Sequence, residues 1–235
     1  MVKNRNSKRW LAPAAIFFSA FVIWGLVRFL AEPDHRYIVR GIDVSAHTGE
    51  INWQIVKGQR VSFVFVKASE GATLSDKNYR KNFYGAKSVG IPVSAYHFFN
   101  FNRDGERQAY NYLCVVSLAD MDLPPVVDVE EWGNRVRRSR REIISDLKEF
   151  IAIVERNAGK KLIIYTNEDT YRIYIKDNFP QNDIWICSFN HKPDIDGQWT
   201  FWQYSHTGHL KGVDGKVDFN VFGGTSLEWK NYLGR

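Results

Sequence analysis

The chain has 235 residues, enough for one large domain or two small ones, with 44% hydrophobic and 15% aromatic residues. Its formal net charge is +6, but residues 1–40 hold seven basic and two acidic residues, so the remainder carries only +1. This distribution gives no support to a nucleic-acid-binding body, and two cysteines are too few for a disulfide framework. His206 and His209 are the nearest approach to a metal-ligand spacing, but they fall in a Gly-rich loop, so we expect no metal and no other cofactor.

The first predicted element is a membrane anchor. Four basic residues within positions 3–9 precede residues 10–27, an uncharged apolar run long enough to span a bilayer as a helix. Basic residues before such a span predict a cytoplasmic N-terminus and an exported body. We therefore predict a cytoplasmic segment over 1–9, a transmembrane signal anchor over 10–30, a linker over 31–40 and a periplasmic or extracellular domain over 41–235.

Two other interpretations of this leader remain open. A cleaved signal peptide is the main alternative, although its apolar core is usually shorter and no clear cleavage site follows the run. A buried helix of a soluble protein is the weaker one, because the run offers no polar face.

The body alternates between short apolar strands and helical stretches, which predicts a parallel sheet. The eight predicted strands cover residues 41–45, 62–68, 92–98, 125–130, 161–166, 183–188, 200–204 and 217–222. The predicted helices cover residues 53–58, 77–89, 105–118, 139–157 and 169–177. Eight strands with interleaved helices indicate an α/β fold, a TIM-like barrel with about five helices. The last two gaps between strands look like loops rather than helical crossovers, so we predict that the closing strands are antiparallel.

The fourth predicted strand ends in two acids, Asp128 and Glu130, spaced i, i+2. Side chains alternate across a strand, so both acids point to one face, with Cα atoms roughly 6–7 Å apart. A purely structural role is the weaker interpretation, because a second buried carboxylate raises the cost of the first. Two close carboxylates whose pKa values are pushed apart can act as acid and base in glycosidic bond cleavage.

Other polar and aromatic residues also lie at strand ends, which in an α/β barrel build the active site. They include Asp43 in the first strand, Glu70 after the second, Tyr96 in the third and Tyr165 in the fifth. Each has an ordinary structural explanation when taken alone, as a helix cap, a turn residue or a packed tyrosine. Their convergence on one end of the barrel predicts an acidic cleft with aromatic surfaces suited to sugar rings.

Seven motifs in this order resemble the glycoside hydrolase family 25 lysozymes, the N-acetylmuramidases. They are Gly-Ile-Asp43-Val-Ser45, Lys67-Ala-Ser-Glu70-Gly71, Ala95-Tyr96-His97-Phe98, Pro-Val-Val-Asp128-Val-Glu130, Tyr165-Thr-Asn, Trp202-Gln203-Tyr204-Ser205 and Val-Asp218-Phe-Asn220. The resemblance covers about residues 41–222 and implies hydrolysis of the β-1,4 bond between N-acetylmuramic acid and N-acetylglucosamine in peptidoglycan. It also implies an eight-stranded barrel with five helices and antiparallel closing strands.

By position, the resemblance implies that Glu130 is the general acid/base and that Asp128 orients the substrate's N-acetyl group, whose oxygen attacks the anomeric carbon. It implies that Asp43 and Asp218 line the cleft and tune this pair. The expected substrate-binding residues are Tyr96, Tyr165, Trp202, Gln203 and Glu70.

The expected partners are peptidoglycan strands and, through the leader, a lipid membrane, with the protein itself a monomer. We expect no cell-wall-binding repeats after the barrel, in contrast to many secreted members. A glycosidase for chitin or another N-acetylated glycan, and a non-catalytic glycan-binding protein, are the competing hypotheses.

Overall fold

A computed structural model describes residues 37–134 and 136–234, and this part of the chain forms an eight-stranded barrel surrounded by helices. The strands are β1 Arg40–Val44, β2 Phe63–Glu70, β3 Leu74–Ser75, β4 Val93–Phe98, β5 Val126–Asp128, β6 Ile163–Asn167, β7 Asp183–Cys187, β8 Phe201–Gly208 and β9 Val217–Phe222. The helices are α1 Trp53–Lys57, α2 Tyr79–Ser88, α3 Gly105–Val115, α4 Arg140–Ala158, α5 Glu168–Thr170, which continues as a π-helical turn over Tyr171–Ile175, and α6 Ser226–Leu233. Two short 3₁₀ turns, Ala46–Thr48 and Leu118–Asp120, complete the elements.

The barrel runs in the order β1-β9-β8-β7-β6-β5-β4-β2 and closes through a β1–β2 pairing. The short β3 lies outside the ring, paired antiparallel with the end of β2. All neighbouring barrel strands are parallel except β9, which runs antiparallel to both β8 and β1. An α/β barrel of eight strands is therefore confirmed.

The prediction of antiparallel closing strands is wrong for β8, which pairs parallel with β7. Thirteen residues separate these two strands. That length is enough for a crossover back to the start of a parallel strand, even though this one contains no helix. Only eight residues join β8 to β9, so that connection is a hairpin and reverses the chain.

The predicted transmembrane helix receives no support from the structure. Within residues 37–134 and 136–234, every helix is too short or too polar to cross a bilayer. The expected anchor over 10–30 lies outside the described residues, as does most of the linker.

Alternation along each strand divides the core into two clusters. In β2, Phe63 and Phe65 point into the barrel, whereas Val64 and Val66 pack beneath the helices. The outer cluster is covered mainly by α2, α3 and α4. Helix α4 is the longest helix within residues 37–134 and 136–234. A Ser139–Glu142 capping box starts it and a left-handed Gly159 ends it.

The unpredicted helix α6 plugs the end of the barrel opposite the strands' carboxyl ends. Trp229 and Tyr232 insert beside the interior rings of Phe63, Phe201 and Phe222, with centroids 5.2–6.4 Å apart. Aromatic side chains therefore fill the barrel interior at the end that α6 covers. Only the opposite end is left for a polar cleft.

Candidate active site

The acid pair lies at the open end of the barrel. Asp128 is the last residue of β5, in register with Phe98 of β4 and Tyr165 of β6. The intervening Val129 points outward into the outer cluster, so Asp128 and Glu130 share the inner face. Asn134 fixes the backbone just after the strand, because its side-chain amide donates to the carbonyl oxygen of Glu130 at 2.8 Å.

A second acid pair faces the first from the other side of the barrel. Asp43 of β1 and Asp218 of β9 are direct antiparallel partners, a pairing that places Cα atoms about 4.5–5.5 Å apart. Oδ2 of Asp43 accepts two hydrogen bonds, from Nε2 of Gln203 at 2.9 Å and Nδ2 of Asn220 at 2.8 Å. Four carboxyl groups therefore converge on one cleft.

The two amides that bind Asp43 are themselves held by aromatic side chains. The hydroxyl of Tyr165 donates to Oε1 of Gln203 at 2.8 Å, and Nε1 of Trp185 donates to Oδ1 of Asn220 at 2.8 Å. Each amide oxygen has a donor, so each amide nitrogen is directed at Asp43. This network fixes the orientation of the carboxyl group without any cation.

Burial and mutual repulsion raise the proton affinity of all four acids. Burial, and then the charge of Asp218, raises the pKa of Asp43 well above its usual range. Burial also raises the pKa of Asp218, while a hydrogen bond from Asp43 opposes this rise. The Asp43–Asp218 pair therefore holds a proton more tightly than two isolated aspartates would.

The Asp128–Glu130 pair shows the same pattern. Burial, and then the charge of Glu130, raises the pKa of Asp128 well above its usual range. Burial, and then the charge of Asp43, raises the pKa of Glu130 to about 7. The Lys67 ammonium lowers the pKa of both acids, and it is held by Glu70 at 2.8 Å. One of the two acids can therefore be protonated near neutrality while the other is charged.

Asp128 has an unused acceptor. Its Oδ1 is buried and has no hydrogen-bond partner among the described residues. A buried acceptor without a partner carries a desolvation cost. This oxygen is therefore suited to accept an N–H or O–H group from a bound molecule.

Aromatic side chains form the wall beside the acids. Tyr165 and Trp185 are in edge contact, with centroids 4.5 Å apart, and Tyr96 lies 6.4 Å from Trp185. Burial raises the pKa of both tyrosines well above the usual value. They are therefore neutral hydrogen-bonding groups.

The structure brings together seven of the nine predicted site residues around the barrel interior: Asp43, Tyr96, Asp128, Glu130, Tyr165, Gln203 and Asp218. Glu70 lies at the edge of this group, paired with Lys67. Trp202 lies on the outer face of β8, 7% exposed, and donates to the carbonyl oxygen of Ser188. Its neighbour Gln203 points inward, as alternation along the strand requires.

Three further residues belong to the site, although the sequence-based selection did not include them. Lys67 supplies the positive charge, and Asn220 and Trp185 complete the network around Asp43. Alternation supplies a signal for two of them, because Lys67 follows Phe63 and Phe65 at even spacing and Asn220 lies two residues after Asp218.

One acidic cluster lies outside the barrel. Carboxylate oxygens of Asp104, Asp146 and Glu149 lie within 4.8 Å of one another, between the start of α3 and the first half of α4. Arg138 already pairs with Asp146. This ion pair balances part of the negative charge of the cluster.

Comparison with known proteins agrees with this geometry. The model of the family described as "Glycosyl hydrolases family 25" matches residues 42–213. The chain is similar to YegX, an uncharacterized protein of Escherichia coli K12, with 35% identity over 84% of this chain and 74% of the relative. It is also similar to Lysozyme M1 of Streptomyces globisporus, with 30% identity over 83% and 74%. A solved structure of a family 25 glycosyl hydrolase from Bacillus anthracis superposes with a TM-score of 0.80 and 38% identity, over 86% of this chain and 96% of that one.

Proposed function

The chain belongs to glycosyl hydrolase family 25, and we propose that it is a muramidase, which hydrolyses the β-1,4 bond between N-acetylmuramic acid and N-acetylglucosamine in peptidoglycan. The observation that carries this proposal is the inward-facing Asp128–Glu130 pair, with the pKa of Glu130 near 7 and an unpartnered buried oxygen on Asp128. The family match supplies the substrate class, and the pair supplies the chemistry.

Glu130 acts as the general acid in the first step. A carboxyl group with a pKa near the working pH is protonated in a large fraction of molecules, yet releases its proton readily. It donates that proton to the glycosidic oxygen, so that the leaving sugar departs as a neutral alcohol.

Asp128 orients the nucleophile that the substrate itself supplies. Its Oδ1 accepts the N–H of the N-acetyl group, which directs the acetyl carbonyl oxygen at the anomeric carbon. The C–O bond to the leaving sugar breaks as this oxygen forms a bond to the same carbon. The new bond closes a ring that contains the acetyl oxygen and the anomeric carbon. Glu130, now ionised, then takes a proton from water as the water attacks the anomeric carbon and opens this ring. Two displacements at one carbon leave its configuration unchanged.

Product analysis tests this proposal. Purified peptidoglycan digested with the protein should yield fragments that carry N-acetylmuramic acid at the new reducing end, as measured by mass spectrometry. The Glu130→Gln variant should fold normally and release fragments far more slowly than the wild-type protein. N-acetylglucosamine at the new end, or equal activity on chitin, would refute the muramidase assignment.

We also propose that the domain acts outside the cytoplasmic membrane and stays attached to it. The basic cluster followed by an uncharged run over residues 10–27 supports this location. Cell fractionation and N-terminal sequencing of the mature protein test the proposal. Recovery in the cytosol would refute export, and a new N-terminus near residue 30 would refute attachment.

A further inference from the structure

The loop that follows Glu130 carries an unusual concentration of positive charge. Residues 131–141, which comprise this loop and the first two residues of α4, contain five arginines and one acid, although the chain after residue 40 has a net charge of only +1. Two adjoining cavities, of about 390 and 470 Å³, share Asn102 and Arg103 as lining residues. We call their four arginines, Arg103, Arg107, Arg137 and Arg138, the arginine rim.

Part of this charge is balanced within the protein, since Asp104 lines the smaller cavity together with Arg103 and Arg107. Arg138 pairs with Asp146 and lies 3.9 Å from Glu142. The side chains of Arg103, Arg107 and Arg137 make no ion pair with any residue in 37–134 or 136–234. Clustered cations repel one another, so their proximity favours an anionic ligand that offsets the repulsion.

The loop is held in place by side-chain amides rather than by its arginines. Asn134 donates to the carbonyl oxygens of Phe99 and Glu130 and accepts from the backbone of Phe101. The backbone N–H of Arg137 donates to Oδ1 of Asn102 at 2.9 Å. The guanidinium groups of Arg103 and Arg137 are therefore not needed to hold this backbone and are available to a ligand.

The arginine rim adjoins the catalytic cleft. A Cβ at Gly133, which lines the larger cavity, would lie 3.5 Å from Cζ of Phe98. The ring of Phe98 in turn lies 4.9 Å from Nζ of Lys67, the cation beside the acid pair. The exposed Trp132, at 80%, lies on the same loop. A substituent on a sugar bound at Glu130 can therefore extend toward the rim.

We propose that the arginine rim binds carboxylates of the stem peptides attached to the muramic acid residues of the substrate. This inference rests on the proposed muramidase function and adds a specificity site to it. Stem peptides leave the glycan through the lactyl group, and their free carboxylates match the planar fork of arginine, which binds such groups through two parallel hydrogen bonds. The enzyme would then prefer peptide-bearing strands over bare glycan.

Binding to insoluble sacculi tests the proposal without turnover, with full-length protein carrying Glu130→Gln. One batch of sacculi is native and the other has its carboxylates converted to neutral amides; both are stripped of phosphate polymers. The rim variant carries Arg103→Gln and Arg137→Gln in addition to Glu130→Gln. Compared with the Glu130→Gln parent, it should bind native sacculi roughly threefold to tenfold more weakly, as expected for two exposed ion pairs. The same two substitutions should leave binding to amidated sacculi unchanged.

Lys148→Gln with Arg156→Gln is the matched control, because it removes two exposed positive charges from α4 away from the rim. This control should bind both batches as the parent does. Equal weakening by the rim variant on both batches, or equal weakening by the control on native sacculi, would overturn the proposal. A third batch of native sacculi keeps its phosphate polymers. If the rim variant binds more weakly only to this batch, phosphate is the ligand and the peptide assignment is wrong. Product analysis of the wild-type protein tests the muramidase function separately.

Discussion

Glu130→Gln should sharply lower kcat and yet stabilise the fold at alkaline pH. The pKa of Glu130 rises from 4.5 to about 7 because the carboxylate is buried near the charge of Asp43. In the unfolded chain no such environment exists, so the side chain keeps its ordinary pKa there. Between pH 4.5 and about 7 the folded protein therefore binds more protons than the unfolded chain. Stability therefore falls as the pH rises through this window.

A pKa rise of this size corresponds to about 3 kcal/mol of unfolding free energy. This loss of unfolding free energy is absent below pH 4.5, grows between pH 4.5 and 7 and is complete above pH 7. Glutamine has nearly the same volume and cannot ionise, so the variant escapes this loss. It also removes the neighbouring charge that raises the pKa of Asp128, which reinforces the effect in the same direction.

Urea denaturation at pH values from 5 to 9 measures the effect. The variant's unfolding free energy should exceed that of the wild-type protein by an amount that increases with pH and levels off above pH 7, at about 3 kcal/mol. The exposed Glu106→Gln is the matched control and should show no such trend. A difference between Glu130→Gln and wild type that does not change with pH would refute the raised pKa, and with it the assignment of Glu130 as the acid. Loss of the general acid should lower kcat about 10²–10⁴-fold.

Three further predictions concern the surroundings of the acid pair. Lys67→Met removes the cation that lowers the pKa of Glu130, so the alkaline limb of the pH profile of kcat/KM should move to higher pH; an unmoved limb would contradict this. Asn134→Ala removes three hydrogen bonds that fix the loop after β5 and should cost about 1–3 kcal/mol in urea denaturation, with a lower kcat. Gly105→Ala would place a Cβ 1.9 Å from the carbonyl oxygen of Asp146 and should cost about 1–3 kcal/mol without changing the pH profile, as measured by denaturation and by kinetics.

The sequence predicted the barrel and most of the acidic cleft, because both depend on local patterns. Alternation along one strand was enough to place Asp128 and Glu130 on a common face. Alternation also separates Trp202 from Gln203, and here the sequence-based selection put both residues in the cleft although only one can point inward. Helix α6 carried a readable signal as well, since Thr225 and Glu228 have the spacing of a capping box.

What the sequence could not supply is the geometry that depends on distant pairings. The direction of β8 depends on how a thirteen-residue connection crosses the end of the barrel, and no local pattern encodes that path. The contacts among Asp43, Gln203 and Asn220 join positions up to 177 apart in the chain. Such contacts follow from the register of β1, β8 and β9, which is visible only once the barrel is closed.

The reversed direction of β9 explains why an acid near the start of a strand belongs to the active site. In a fully parallel barrel, a residue near the start of a strand lies at the end opposite the catalytic groups. Because β9 is antiparallel, its second residue, Asp218, lies at the same edge as Asp43 near the end of β1. The proton shared by these two acids leaves one negative charge facing Glu130, and that charge helps to raise the pKa of Glu130 to about 7. The single strand that departs from the parallel pattern thus helps to set the proton affinity of the general acid.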